Sequence, residues 1–324
     1  RPQRAISLQM TNQRIQNMRF CKQFVAVLLL ALPALGAAEL SASGLPATST
    51  WYFHADFDEM RGSDAGKPLY AWLQREVFAD VREDAGIDLD KEADKITAFS
   101  AEESGAVVLV EGNISQETRD KLLAIAAGGD EFDTLKHKGT TFYYARSDKH
   151  GKDGDINVDS FENGVYFTFA LKNRLLATSS REQLESLLDN KGKLPQRKAD
   201  RGTLIVLTAE KSLIQAGIQA DQVEDSGDGG WQSNILRNTE QLAVMVADAA
   251  GKMAIQTQLI ATQPEMAESL ASIVRGLISL AMFSDDMDPD VAEFLKGTTV
   301  DVDGSLLNIR LALDPESVVV MLDN

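Results

Sequence analysis

Cysteine is almost absent from this sequence, which has Cys21 as its single example in 324 residues. The chain beyond residue 38 therefore has no disulfide, no thiol nucleophile and no lipoprotein-type cysteine. A chain of this length can bury enough apolar surface to fold without crosslinks.

Histidine is also scarce, and the three examples are His54, His137 and His150. None has another histidine or a cysteine two to four residues away, so the spacing excludes a His/Cys zinc motif. His54 stands within an aromatic stretch that reads as a strand, which favours a structural role. His137 and His150 flank a predicted hairpin and are expected to be solvated.

Catalytic motifs are missing as well. The sequence has no Gly-x-Ser-x-Gly and no glycine-rich loop followed by Lys-Ser or Lys-Thr. Ser104-Gly105 and Ser226-Gly227 lie where turns are expected. Asp56 and Asp58 follow the first strand and could share a proton as paired acids do, although strand-ending and helix-capping roles are favoured. We therefore predict no catalytic residue and no cofactor, and an enzyme is the less favoured class.

Basic residues are outnumbered, with 32 Lys and Arg against 49 Asp and Glu, a net charge of −17. The first 38 residues contain only basic charges, so the remaining chain carries −22, and residues 202–324 alone carry −13. This sign disfavours nucleic acid and anionic lipid and attracts basic partners. The favoured explanation is that the acids keep the protein soluble.

The N-terminal region has the pattern of a secretory signal peptide. Residues 1–17 form an upstream extension that we predict is not translated, with synthesis starting at Met18. Residues 18–38 combine a basic start, an apolar run and small residues, and the run is too short for a comfortable membrane span. We predict cleavage near Ala38, a linker at 39–47 and a periplasmic or secreted location; an uncleaved anchor is the alternative.

Two stretches of the remaining chain follow the same pattern. Phe161–Asn190 reads FENGVYFTFALKNRLLATSSREQLESLLDN, in which alternating apolar residues form two strands joined at Lys172-Asn173. A helix capped by Ser179 or Ser180 follows. Thr299–Asn324 repeats this order, with a turn at Asp303-Gly304 and a helix that begins with Pro315 after an Asp314 N-cap.

The pattern extends upstream in both halves. Each half has one strand, a helical segment, a hairpin with a helix, and a second hairpin with a helix. The sequence therefore predicts an α+β fold of two similar domains, each an antiparallel sheet with helices packed on one face, in a ferredoxin-like repeat. The predicted boundaries are 48–190 and 202–324, joined by the basic linker 191–201, for which a docking role is an alternative.

This combination resembles a broad group of bacterial exported proteins of unknown function. The residues that carry the resemblance are the exported start, the first strand STWYFHADFD and the unit FTFALKNRLLATSSREQLESLLDN. The resemblance implies duplicated, ferredoxin-like α+β units over most of residues 48–324. It implies no catalytic residue.

The inserted segment after residue 127 has no counterpart in the second half. It contains a predicted hairpin turned at Lys138-Gly139 and a polar loop at 147–161. Within the loop, the spacing of Asp153, Asp155, Asn157 and Asp159 is like the start of a calcium loop. Val158 and Gly164 stand where an EF-hand needs glycine and a carboxylate, so only a weak surface calcium site is a candidate.

One long helix is predicted at 264–283, with apolar residues at helical spacing. Its charges argue against a membrane span, and we interpret it as a core helix, with a membrane-surface or partner-binding helix as the alternative.

The leading hypothesis is a non-catalytic periplasmic binding or interaction protein of unknown ligand, either a protein or a small molecule, with a basic ligand as one alternative. It would bind between the domains or through the loops 147–161 and 221–230. The alternatives are a hydrolase with a carboxylate-based site between domains and a weak calcium-dependent surface protein.

Overall fold

The computed structural model describes residues 49–101, 105–147, 164–193, 202–214, 238–282, 295 and 297–323. Within them the strands form one antiparallel twelve-stranded sheet, in the order β11-β12-β10-β9-β8-β1-β2-β3-β7-β6-β5-β4. The strands are β1 Ser49–Asp56, β2 Lys95–Ala101, β3 Gly105–Glu111, β4 Glu131–His137, β5 Thr140–Arg146, β6 Val165–Thr168, β7 Arg174–Thr178, β8 Thr203–Glu210, β9 Thr239–Ala249, β10 Lys252–Ala261, β11 Thr299–Asp303 and β12 Leu306–Leu313.

Eight α-helices lie wholly within the described residues. They are α1 Phe57–Gly62, α2 Gly66–Leu73, α3 Ala79–Ala85, α4 Leu89–Glu92, α5 Gln116–Ala127, α6 Arg181–Asp189, α7 Pro264–Met282 and α8 Pro315–Asp323. A π-helical turn, Gln74–Phe78, joins α2 to α3 without interruption. Gly86 ends that helix at a φ of 65°, a left-handed conformation that glycine adopts without strain.

Several local predictions are confirmed. Ser180 caps α6 by accepting a hydrogen bond from the amide of Gln183. The β4–β5 hairpin turns at Lys138-Gly139, where φ is 47° and 86°, the positive values of a tight two-residue turn. The carboxylate of Asp314 accepts from the amide of Glu316 at the start of α8. The β11–β12 turn lies one residue later than predicted, at Gly304-Ser305.

The two halves belong to one sheet, because β1 pairs antiparallel with β8. In strand order, β1-β2-β3-β7-β6 of the first half corresponds to β8-β9-β10-β12-β11 of the second, and β4 and β5 extend the first half. The ferredoxin-like assignment is not confirmed. A split βαβ unit places two parallel strands side by side, whereas every ladder in the described residues is antiparallel. The predicted division into two separate domains is not confirmed either.

Helices lie on both faces of the sheet, whereas the sequence predicted helices on one face only. Neighbouring residues of β1 face opposite sides, and both sides are apolar: Tyr52 belongs to one buried cluster and Phe53 packs on another. Such strands need cover on each face. Leu184 and Leu187 of α6 supply it beside Tyr52, while α2 and α7 supply it beside Phe53.

Candidate functional site

Most of the sequence-predicted site lies outside the described residues. This applies to the calcium candidates Asp153, Asp155, Asn157 and Asp159, to the loops 147–161 and 221–230 beyond Ser147, to His150, and to Ser104 and Ser226. Among the residues that the structure describes, no group of three or more His, Cys, Asp or Glu could hold a metal ion. The calcium site stays a prediction.

Asp56 and Asp58, the candidate acid pair, have different surroundings. Asp56 is buried at the end of β1; its Oδ1 accepts from the amide of Glu59 at 2.9 Å, and its Oδ2 pairs with the ammonium of Lys95. The side chain of Asp58 is 72% exposed and lies 3.5 Å from Arg61. The structure therefore places Asp56 in a helix cap, as the favoured interpretation predicted, and also in an ion pair with Lys95.

Asp56 is also the first member of a charged row across four strands. Its register neighbours are Lys95 on β2, Glu111 on β3 and Arg174 on β7, so acid and base alternate along the row. The guanidinium of Arg174 lies 2.7 Å from Glu111. Cross-strand pairs of opposite charge stabilise a sheet modestly, so the row holds these four strands in register.

His54 precedes Asp56 by two residues in β1, so the two side chains lie on the same face of the sheet. It is buried, and its Nδ1 lies 2.8 Å from the hydroxyl of Thr97 on β2. Burial lowers the pKa of His54, although the nearby carboxylate of Asp56 acts in the opposite direction. His54 therefore has the structural surroundings that its position in the first strand predicted.

His137 lies at the end of β4 between two carboxylates of α6. Its Nε2 is 2.9 Å from Asp189, and its Nδ1 is 3.3 Å from Glu185. Lys138 also pairs with Asp189, at 2.7 Å. These contacts fasten the β4–β5 turn to α6, so His137 is a packing contact, and the expectation of a solvated side chain is wrong.

The outer face of α7 exposes large apolar side chains, which the sequence-based interpretation as a core helix did not predict. The inner face is buried through Ala267, Leu270 and Ala271, which agrees with a core helix. The opposite face nevertheless exposes Ile273 by 42% and Leu280 by 70%. A signal was present in the sequence, since Arg275 is the only charged residue between positions 269 and 282.

The serines of this helix do little to make the outer face polar. Ser269, Ser272 and Ser279 each donate to the carbonyl four residues earlier, at 2.8 Å. Their hydroxyls are thus bonded within the helix. Arg275 is turned toward the sheet and donates to the carbonyl of Val300 at 2.6 Å. The outer face therefore presents Ile273 and Leu280 beside serines whose donors are already used, with Glu265 and Glu268 at its N-terminal end.

None of the helices in the described residues combines the length and the apolar composition that a membrane-spanning helix needs.

Comparisons with known proteins gave structural neighbours only. No protein-family model and no curated protein sequence matches the chain. Crystal form I of the treponemal protein TP0453 is 9% identical, with a TM-score of 0.42, over 89% of this chain and 98% of that one. Crystal form IV is 10% identical, with a TM-score of 0.44, over 85% and 93%. Crystal form III is 9% identical, with a TM-score of 0.43, over 89% and 99%.

Proposed function

We propose that this is an exported, non-catalytic binding protein and that the outer face of α7 binds a polypeptide with apolar and basic side chains. The observation that carries the proposal is the exposure of Ile273 and Leu280 on a helix whose other face is already in the core. Two large apolar side chains on one side of a helix are typical of a docking surface for an amphipathic partner.

The charge of the partner follows from the acids around this face. Glu265 and Glu268 are exposed at its N-terminal end, and residues 202–324 carry 19 acidic and 6 basic side chains. A partner with Lys or Arg beside its apolar residues would associate faster and bind more tightly than an acidic one, and salt would weaken the attraction.

The described polar groups have structural partners. Asp56, His54 and Glu111 are each engaged by a side chain of the same sheet. Glu92 is likewise engaged, because it accepts from the amide and hydroxyl of Ser115 and from the hydroxyl of Thr118. Carboxylates used in this way stabilise caps and strands. The hydrolase and the calcium-dependent protein stay predictions without a supporting contact among the described residues.

The experiment uses two synthetic amphipathic peptides as probes, one of Leu and Lys and one of Leu and Glu, titrated into the full chain by calorimetry. We expect the Leu-Lys peptide to bind and the Leu-Glu peptide not to bind. The double variant Ile273→Gln and Leu280→Gln should weaken binding of the Leu-Lys peptide roughly tenfold or more. Each large apolar side chain contributes about 1.5–3 kcal/mol when it is fully buried in the complex.

The matched control is Val320→Gln, which replaces an apolar side chain that is 60% exposed on α8. It should leave the affinity unchanged. Equal binding of both peptides, or equal loss in the α7 and α8 variants, would count against this surface.

We also infer that the two halves arose from one duplicated unit. The support is the corresponding strand order, β1-β2-β3-β7-β6 against β8-β9-β10-β12-β11, with a helix after each second hairpin. A reconstructed chain made of two copies of residues 202–324 would test it: the inference expects a soluble protein with the strand content of the natural chain, and an aggregated or unfolded product would contradict it.

A further inference from the structure

The outer edge of β4 carries outward-facing backbone groups from alternate residues. The carbonyl of Arg146 on β5 accepts from the amide of Asp130, so it points toward β4, whereas the carbonyl of Thr141 accepts from Thr168 of β6. Because these directions alternate along a strand, the even-numbered residues of β5 bond to β4. Their register partners on β4 are the odd-numbered residues. The N–H and C=O groups of Phe132, Thr134 and Lys136 therefore point away from the sheet.

The charges along this edge are divided between its two ends. Glu131 and Asp133 lie in the first half of β4, and Lys136 and His137 lie in the second. Asp133, Thr134 and Lys136 are exposed. In an antiparallel neighbour with the same sequence, centred on Thr134, Glu131 lies opposite His137 at both ends, which is an arrangement compatible with a two-fold axis.

The other edge of the sheet lacks this property. β11 reads TVDVD, with Asp301 and Asp303 as its charges. Antiparallel pairing of two such strands about their middle residue places Asp301 opposite Asp301. Like charges in that position are destabilising, and acidic side chains on an edge strand discourage pairing. The two edges of this sheet therefore differ in their compatibility with a second copy.

We propose that two copies of this chain pair antiparallel through β4, with Thr134 of one copy opposite Thr134 of the other. In this register Phe132 faces Lys136 of the second copy, and the outward N–H and C=O groups of all three even-numbered residues are paired. Lys136 lies against the Phe132 ring, a favourable cation–π pair. The two sheets become one continuous sheet.

The register gives a direct crosslinking test. Thr134→Cys, made in a Cys21→Ser background, places two thiols at directly opposed positions, where the Cα atoms of a hydrogen-bonded pair lie about 5.5 Å apart. Mild oxidation should convert most of the protein to a disulfide-linked dimer. Lys136→Cys is the matched control: it lies on the same exposed edge, but the two positions are displaced along the strand by roughly 13 Å. It should remain uncrosslinked.

Light scattering after size exclusion tests the same pairing without crosslinks. The chain should be a dimer whose dissociation is measurable on dilution, and Thr134→Pro should shift it to monomer, because proline removes an outward N–H and leaves the β4–β5 ladder intact. Thr134→Ser should stay dimeric. A natural chain that is monomeric at all concentrations, or equal crosslinking at 134 and 136, would overturn the proposal. The crosslinking comparison decides the matter if the proline variant fails to fold.

Discussion

Asp248, at the end of β9, accepts a hydrogen bond from the backbone amide of Ala65, which lies 183 residues earlier in the chain. The bond measures 3.0 Å to Oδ2, while Oδ1 accepts from the amide of Gly251 in the β9–β10 turn. One carboxylate thus fixes its own hairpin and ties that hairpin to the segment between α1 and α2. It is a polar contact between the two halves, next to the apolar core they share.

Asp248→Ala should destabilise the protein by about 2 kcal/mol, because it leaves two amides without their charged acceptor. Urea unfolding monitored by circular dichroism would measure the loss. Asp303→Ala is a suitable control, since Asp303 ends a strand before a similar turn but is exposed. A surface change of this kind should stay within about 0.5 kcal/mol. Similar values for the two variants would remove the structural role of Asp248.

The shared core predicts that the two halves unfold together. One buried cluster combines apolar side chains of both halves: Phe57, Leu69 and Phe78 from the first, and Ile255, Leu270 and Ile309 from the second. Arg75 and Asp323 also form an ion pair across the halves, at 2.7 Å. Each half alone would expose its share of this cluster to water, at a cost that a fold of marginal stability cannot sustain.

We therefore expect one coincident unfolding transition in near- and far-ultraviolet circular dichroism of the full chain. Fragments 49–193 and 202–323, expressed separately, should lack the near-ultraviolet signal and the sharp transition. Two resolved transitions, or a cooperatively folded fragment, would instead support the two-domain prediction.

The sequence identified local structure better than it identified assembly. Alternation in VYFTFA and the Lys138-Gly139 turn were sufficient to predict β6 and the β4–β5 hairpin, because period and turn chemistry are local properties. The pairing of β1 with β8 was not predictable in the same way. Both strands are apolar on two faces, and nothing in such a pattern specifies which strand becomes the neighbour.

In the candidate site too, the sequence predicted the local features but not those that depend on contacts between distant segments. The cap of Asp56 follows from its place between strand and helix, and the sequence predicted it. The cross-strand row of Lys95, Glu111 and Arg174 depends on register between distant segments, so no local pattern contained it. The exposure of Leu280 depended on which face of α7 met the sheet, although the scarcity of charge along the helix was visible beforehand.

Gly112 allows a close backbone contact that a side chain would prevent. A Cβ at this position would lie 2.0 Å from the carbonyl oxygen of Glu92 and 2.9 Å from the amide of Asp94. Both obstacles are backbone atoms, so they cannot move aside cheaply. Gly112→Ala should therefore destabilise the fold by about 3 kcal/mol or more, which is in the range of severe steric changes.

A methyl group at position 112 would displace the backbone of Glu92 and with it the Glu92 carboxylate. That carboxylate accepts hydrogen bonds from Ser115 and Thr118 at the start of α5. Gly62→Ala is the control, because its added methyl group has no atom within 4 Å beyond the neighbouring residues and backbone of its own helix. It should leave the urea midpoint almost unchanged. If the two alanine variants unfold at the same urea concentration, the close approach at Gly112 is not required.

His54 makes stability depend on pH in a defined direction. Burial lowers its pKa below the ordinary value of 6.5, so at mildly acidic pH the unfolded chain binds a proton more readily than the folded protein does. The stability that the neutral imidazole contributes is present above about pH 6.5 and is lost as the pH falls through the lower, folded pKa. The urea midpoint of the natural protein should therefore fall between pH 7 and pH 5.

The variant His54→Gln should show a flatter profile over this interval, because glutamine keeps a polar group near Thr97 but does not titrate. Carboxylates such as Asp88 and Asp189, whose pKa values hydrogen bonding and ion pairing lower, lose their contribution only below about pH 4, so they do not obscure the comparison. Nuclear magnetic resonance of the imidazole ring would measure the folded pKa directly. A His54 resonance that titrates at 6.5 or above, or identical pH profiles for the two proteins, would contradict the assignment of this buried histidine as the source of the pH dependence.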